Sequence, residues 1–352
     1  MSICWPFKAS LGLTGKGGLP SIPSTKKTMV LKAYMASFHG KVADEFQAVN
    51  QLIISSLKSE VGLVENIGHY IVDSGGKRLR PILVLLSSMA NGYSQGTDHI
   101  KISAVIEFIH TATLLHDDVV DVSELRRGRQ TANAIWGNAP SILVGDFLYS
   151  RAFQMLVEIA DMSIMELIAN ATNVISEGEV QQMANAGNAD LDESTYMEVI
   201  YRKTAKLFEA ATESGAILGN TDSSIMKSYG KHLGMAFQIA DDVLDLKGDV
   251  ATTGKNIGDD LAEGKMTLPL IYARDNSDAQ SRQLIRDSIE AKSADNFDQI
   301  LDIVTVSGGL DYSLDKAREH SQSAISALEP LQESDFKQVL LQLADFAISR
   351  KL

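Results

Sequence analysis

An all-α fold is what this sequence predicts, and three observations predict it. From Glu45 onward apolar residues recur at i, i+3, i+4 and i+7, the spacing of one helix face, almost without interruption. No stretch keeps the sustained alternation of a half-buried strand. Hydrophobic residues make up 45% of the 352 but aromatics only 6%, which suits a core packed with Leu, Ile, Ala and Met. The helical runs are separated by short glycine-bearing breaks at 75–76, 92–96, 137–140, 187–192, 219–221 and 308–309.

Taken in order, the first stretch stands apart. Residues 1–43 hold glycines, prolines, serines and scattered lysines, with no acidic residue before Asp44. They lack a long apolar signal core and the arginines usual in organelle transit peptides, so they are read as a disordered extension. Met29 and Met35 are alternative starts, and a chain beginning at Met35 is expected to be soluble and fully active. Residues 44–352 are read as one domain, because no internal linker divides them.

Lys77-Arg78-Leu79-Arg80-Pro81 follows the Gly75-Gly76 turn, and Pro81 suits the first turn of a helix, where a missing N–H costs nothing. Ile102, Val105, Ile106, Ile109 and Ala112 form the apolar face of the next long helix. Pro140 is expected to open a helix over 141–158, and Gly219-Asn220 to close the one running through Lys203. Leu233, Ala236, Phe237 and Ala240 form the face of another long helix.

Two of these helices end in the same acidic pentapeptide: Asp117-Asp118-Val119-Val120-Asp121 and Asp241-Asp242-Val243-Leu244-Asp245. At helical pitch i and i+4 share a face, so Asp117 aims with Asp121 and Asp241 with Asp245. A single such motif is most often a solvated helix end. Two copies, each closing a stripe too apolar for the surface, put carboxylates at the mouth of a core. Facing pairs repel unless a hard cation lies between them, and Mg²⁺ takes a few carboxylates together with substrate phosphate oxygens. The pattern predicts a diphosphate held by Mg²⁺.

The basic residues fit that prediction. Lys77, Arg80, Arg126-Arg127-Gly128, Lys203-Thr204, Lys255 and Lys265 cluster near the acidic motifs in a chain of net charge −13. Arginine grips phosphate oxygens with a fork and lysine supplies a compact charge. The acid excess argues against a nucleic-acid partner. One cysteine, Cys4, excludes a disulfide framework and fits a reducing, cytoplasmic setting. No apolar run reaches the ~20 residues of a membrane span.

The segments GGKRLRP, LLHDDVVD with RRG, VGDFLYSRAF, YRKTAKLF, QIADDVLD and GKNIGDDLAEGKMTLP resemble, in order and spacing, the trans-prenyltransferases or polyprenyl diphosphate synthases. The resemblance runs from about residue 45 to the C-terminus. Within the family, EFIHTATLLHDDVVD and VGDFLYSRAFQM look most like the bacterial octaprenyl enzymes, whose product becomes the side chain of respiratory quinones such as ubiquinone.

The resemblance implies an isoprenoid synthase-type helical bundle around a deep central cavity, in a homodimer. It implies that Asp117, Asp118, Asp121, Asp241, Asp242 and Asp245 bind Mg²⁺. It implies that Arg126, Lys203, Thr204, Gln238, Lys255 and Lys265 contact an allylic diphosphate such as farnesyl diphosphate. Lys77, Arg80, His110 and Arg127 would hold isopentenyl diphosphate, with Arg350 a weaker candidate. His110 lies two turns before Asp117 on one face; alone it would read as a core histidine, and the resemblance moves it to the substrate. His116 lies on another face and stays a core residue. Contact with a membrane surface during product release is left open.

The expected chemistry is ionisation of the allylic carbon–diphosphate bond, attack by the isopentenyl double bond, and loss of a proton to the released pyrophosphate. Catalytic roles fall to Asp117, Asp118, Asp121, Asp241, Asp242 and Lys203. Product length is expected to depend on the small side chains Ala112 and Thr113 below the first motif, and on a deeper floor at Phe153, Met155 or Leu156. Short- or medium-chain synthases are the nearest alternative. A class I terpene cyclase would usually carry an Asn/Ser/Glu-type second motif in place of the second DDxxD.

Overall fold

The computed structural model describes residues 40–73, 76–126, 128–247 and 258–349. The expectations for most of the N-terminal extension and for Arg127, Lys255 and Arg350 lie outside the described residues.

The described residues are mainly helical. Its helices are α1 (Ala43–Ser56), α2 (Gly62–Asp73), α3 (Leu79–Ala90), α4 (Asp98–Val120), α5 (Ala132–Trp136), α6 (Asn138–Ile159), α7 (Met162–Asn185) and α8 (Glu193–Ile200). There follow α9 (Lys206–Leu218), α10 (Ser224–Lys247), α11 (Asp259–Ala262), α12 (Leu268–Asn276), α13 (Ala279–Ala291), α14 (Phe297–Ser307), α15 (Gly309–Ala327) and α16 (Asp335–Ser349). Several begin on an aspartate that accepts from orphan backbone N–H groups: Asp161 from Ser163 and Ile164, Asp192 from Thr195, Asp278 from Ser281.

After α4, β1 (Leu125–Arg126) pairs antiparallel with β2 (Arg129–Gln130), Leu125 opposite Gln130. Two local expectations need correction. The helix expected over 141–158 starts earlier, at Asn138, with Pro140 inside its first turn. The helix through Lys203 is not continuous α-helix; a π-helical turn, Tyr201–Ala205, joins α8 to α9. A π turn adds a residue to the ladder and re-aims the side chains after it, a device common at functional sites.

α3 and α9 lie at the centre. Ile82 to Leu86 on α3 are wholly buried, as are Phe208, Ala210 and Ala211 on α9, so neither helix has a polar face to give to water. Each Leu or Ile buried this way contributes roughly 1.5–3 kcal/mol. Their backbones approach so closely that a Cβ on Gly215 would sit 2.2 Å from Ser87 Oγ and 2.5 Å from Ser88 N. The hydroxyls at this crossing are satisfied locally, Ser87 donating to Leu83 O at 2.6 Å and Ser88 to Val84 O at 2.7 Å.

The buried residues fall into two apolar clusters that share α10 and α15. Leu233 and Ala236 of α10 join the cluster of α1–α7, α9 and α16, while Met235, Ile239, Val243 and Leu246 join that of α8 and α11–α14. Ala324 of α15 belongs to the first, Leu310, Leu314 and Ala317 to the second. Both acidic motifs thus close long helices rooted in core. No helix among the described residues is long and apolar enough to cross a membrane.

Candidate active site

Each acidic motif occupies the C-terminal end of its helix, where unpaired carbonyls already carry negative charge. No basic residue stands in the last turn of α4. Carboxylates there are electrostatically misplaced unless cations come from elsewhere, and the fold brings two lysines.

Lys203, on the π turn, puts Nζ 2.5 Å from Glu179 Oε2, 2.6 Å from Gln182 Oε1 and 4.0 Å from Asp117 Oδ2. Lys265, after α11, reaches Asp121 Oδ2 at 3.5 Å and also pairs with Glu263. Burial works against the Lys265 charge, but Asp260, Asp121 and Glu263 outweigh it and hold the ammonium protonated above its usual range. Asp260 links Lys265 to the second motif, since its backbone N–H donates to Asp245 Oδ2 at 3.3 Å. The two motifs therefore line one cleft.

The carboxylates are not equivalent. Asp117 and Asp121 are partly open, with 18% and 21% side-chain exposure, while Asp118 is at 1%. Asp118 Oδ1 accepts from Arg126 Nε and Nη2, both at 2.7 Å, as the hairpin folds back on the helix end. Asp242 is buried, accepting from Tyr196 OH at 2.6 Å and Gln238 Nε2 at 2.7 Å. Gln238 accepts in turn from Thr204 Oγ1 at 2.8 Å. Asp241 is exposed and Asp245 partly so.

Crowding and burial push these groups toward protonation. Burial raises Asp117, with Lys203 only partly offsetting it. Burial, then the Asp260 charge, drives Asp242 well up and takes Asp245 to about 9. Glu179 rises to about 7, again by burial, against the pull of Lys203. A site that resists its own negative charge is one that a divalent cation would complete. Among the described residues no three His, Cys, Asp or Glu side chains form a ready cage for a metal. Oxygen donors spread over two walls fit Mg²⁺, which keeps waters and takes substrate phosphates rather than a closed protein cage.

A second basic locus lies at the start of α3. Arg80 Nη1 is 3.2 Å from His110 Nε2, and its guanidinium lies 4.4 Å over the Phe208 ring. Lys77 is exposed, its Nζ 5.5 Å over the Phe346 ring. His110 and Asp117 share the inward face of α4, so both basic loci open on one helix. His116 turns aside, 3.2 Å from Ile142 O and 3.4 Å from Asp146.

Below the first motif, Ala112 is fully buried and Thr113 donates to His110 O at 2.9 Å. Met155 and Leu156 of α6 are buried, whereas Phe153 is half-buried against Tyr149, ring centroids 5.3 Å apart. Sequence reasoning assigned no role to Glu179, Gln182, Tyr196, Asp260 or Glu263. The adjacent Asp259-Asp260 pair was a visible signal, and Glu263 stands in the same segment; nothing local marked the other three.

The comparisons with known proteins point one way. The octaprenyl diphosphate synthase of Haemophilus influenzae is 48% identical over 315 residues, 88% of this chain and 95% of that protein. An all-trans-nonaprenyl-diphosphate synthase of Rhodobacter capsulatus is 45% identical, covering 88% of this chain and 96% of its own length. The crystal structure of a Caulobacter crescentus polyprenyl synthase complexed with calcium and isoprenyl diphosphate superposes with a TM-score of 0.87 at 40% identity, covering 90% of this chain and 98% of the other. With the polyprenyl synthetase family model matching residues 61–304 as well, the chain belongs to the polyprenyl synthetase family, prenyltransferases of the all-α isoprenoid synthase fold.

Proposed function

We propose that this protein adds isopentenyl diphosphate units in sequence to an allylic diphosphate, building a trans-polyprenyl diphosphate near octaprenyl in length for a quinone side chain. The observation that carries the reading is the cleft in which Lys265 lies between Asp121 of the first motif and Asp260, whose backbone N–H donates to Asp245 of the second, with Lys203 beside Asp117. Relatives named for octaprenyl and nonaprenyl products support the long chain.

Asp117, Asp121, Asp241 and Asp245 are the residues that would hold Mg²⁺, which when bound supplies positive charge to the departing diphosphate. Asp118 and Asp242, expected to share that duty, act in this reading as buried braces that fix the two helix ends through Arg126, Tyr196 and Gln238. Lys203 and Lys265 meet the allylic diphosphate and oppose the charge that grows on its bridging oxygen as the carbon–oxygen bond breaks. Lys77, Arg80 and His110 hold isopentenyl diphosphate, which places its double bond near the electron-poor allylic carbon. The new carbon–carbon bond forms there, and the proton lost afterwards goes to the released pyrophosphate. Apolar walls from α4 and α6 keep water from the cation. We place the enzyme in the cytoplasm as a homodimer, with its domain beginning near residue 44.

The test is incubation with isopentenyl and farnesyl diphosphates and Mg²⁺, followed by chromatography of the dephosphorylated products. A ladder ending near octaprenol is expected. A cyclised hydrocarbon would make the protein a cyclase, and a stop at farnesol or geranylgeraniol would make it a short-chain enzyme.

A further inference from the structure

Lys203 has a choice of carboxylates, and the way it is held bears on the metal site. Its Nζ lies 2.5 Å from Glu179 and 4.0 Å from Asp117, so it is committed to α7 rather than to the first acidic motif. Gln182, one turn further along α7, adds an acceptor at 2.6 Å on the same side. The neighbouring Arg202 is tied down as firmly, 2.9 Å from Glu177 and 2.6 Å from Glu198. Between Glu177 and Glu179 stands Gly178, where a Cβ would lie 2.7 Å from both Lys203 N and Arg202 Cβ. A bare backbone flanked by two carboxylates thus seats the π turn, drawing its two cations to opposite sides.

An ion pair partly shielded from water is worth far more at contact than with water between the partners. Without Glu179, the nearest remaining carboxylate for Lys203 is Asp117, already within reach. An ammonium settled on Asp117 would compete directly with any cation that the carboxylate is meant to bind. We infer that Glu179 is a positioning residue that holds Lys203 off Asp117, keeping Asp117 open to a divalent cation and Lys203 ready for the diphosphate. This rests on the proposed function for the identity of the ligands.

The test measures metal binding rather than turnover. Purified wild type, Glu179→Ala, Glu179→Gln, Lys203→Met and the double variant Glu179→Ala/Lys203→Met are titrated with Mn²⁺ in the presence of inorganic pyrophosphate. Free Mn²⁺ is followed by its electron paramagnetic resonance signal, and circular dichroism checks folding. Glu179→Ala should weaken Mn²⁺ binding on the order of tenfold, the scale of one lost interaction between contacting groups. Glu179→Gln, which keeps an acceptor but not the charge, should fall between, and it carries the test if Glu179→Ala does not fold. In the Lys203→Met background the Glu179→Ala change should have no further effect, because the competing ammonium is gone. Binding by Glu179→Ala and Glu179→Gln within about twofold of wild type overturns the inference, as does an equal loss in both backgrounds. Failure of the functional reading appears separately, as a wild type that binds Mn²⁺ and pyrophosphate but does not elongate farnesyl diphosphate.

Discussion

Asp117 and Asp118 are adjacent in sequence and opposite in circumstance. One residue along the helix carries a side chain about 100° around its axis, enough to leave Asp117 facing the cleft and to bury Asp118 under Arg126. The same division recurs in the second motif, where Asp241 stays exposed and Asp242 is enclosed by Tyr196 and Gln238. A prediction belongs at this scale. Asp117→Ala or Asp241→Ala should lower kcat by on the order of a thousandfold or more, because a cation ligand at the breaking bond is lost. Metal-free Asp117→Ala should be no less stable than wild type by thermal melting, since burial already disfavours that charge. Near-normal turnover with an unchanged Mg²⁺ requirement would remove these residues from the metal site. The division of roles was half legible in the sequence: i, i+4 geometry identified the outward pairs, but the buried braces depended on a hairpin and on a tyrosine from a different helix.

Two helix pairs give the predictions at the scale of elements. α4 and α6 carry the residues expected to set product length, and the small Ala112 lies fully buried beneath the first motif. Each added isoprene unit lengthens the product by roughly one helical turn, ~5 Å, so a long chain needs a channel most of a helix long. Ala112→Tyr or Thr113→Phe should therefore end elongation early, shifting product toward geranylgeranyl diphosphate by chromatography. Leu156→Ala should lengthen it if Leu156 is the floor; unchanged product from all three would move the length control elsewhere. α10 and α15 meet at His232 and His320, their Nδ1 atoms 2.9 Å apart. Burial, then the His232 charge, takes His320 down to about 4, and burial lowers His232 too. The folded state then binds fewer protons than the unfolded one, so the pair's contribution is intact above about pH 6.5 and is lost as pH falls toward 4. Tm should drop by several degrees across that window, and His320→Gln should flatten the drop. A parallel profile for that variant would rule the pair out as its source. The histidine contact was not visible locally, since the two residues are 88 positions apart.

At the scale of the whole molecule, the cleft is assembled from α4, α7, the π turn, α10 and the segment after α11, and a ligand that spans it should stabilise all of them together. Inorganic pyrophosphate with Mg²⁺ should raise Tm more than the sum of either alone. A pair present at about a hundred times its dissociation constant adds about 2.7 kcal/mol. Purely additive shifts would mean that metal and diphosphate do not share one site. What the sequence by itself determined was everything carried by short-range pattern: helical class, most of the breaks, the two acidic helix ends and the motif order that identifies the family. These follow from the 3.6-residue period and from glycine and proline chemistry, which act within a few residues. The tertiary structure alone decided which carboxylates meet which cations. Lys265 and Asp121 are 144 positions apart, and Lys203 chooses Glu179 over Asp117 because Gly178 lets α7 approach the π turn. Such choices depend on how helices pack against one another, and electrostatic contacts fall off too steeply with distance for local spacing to reveal them.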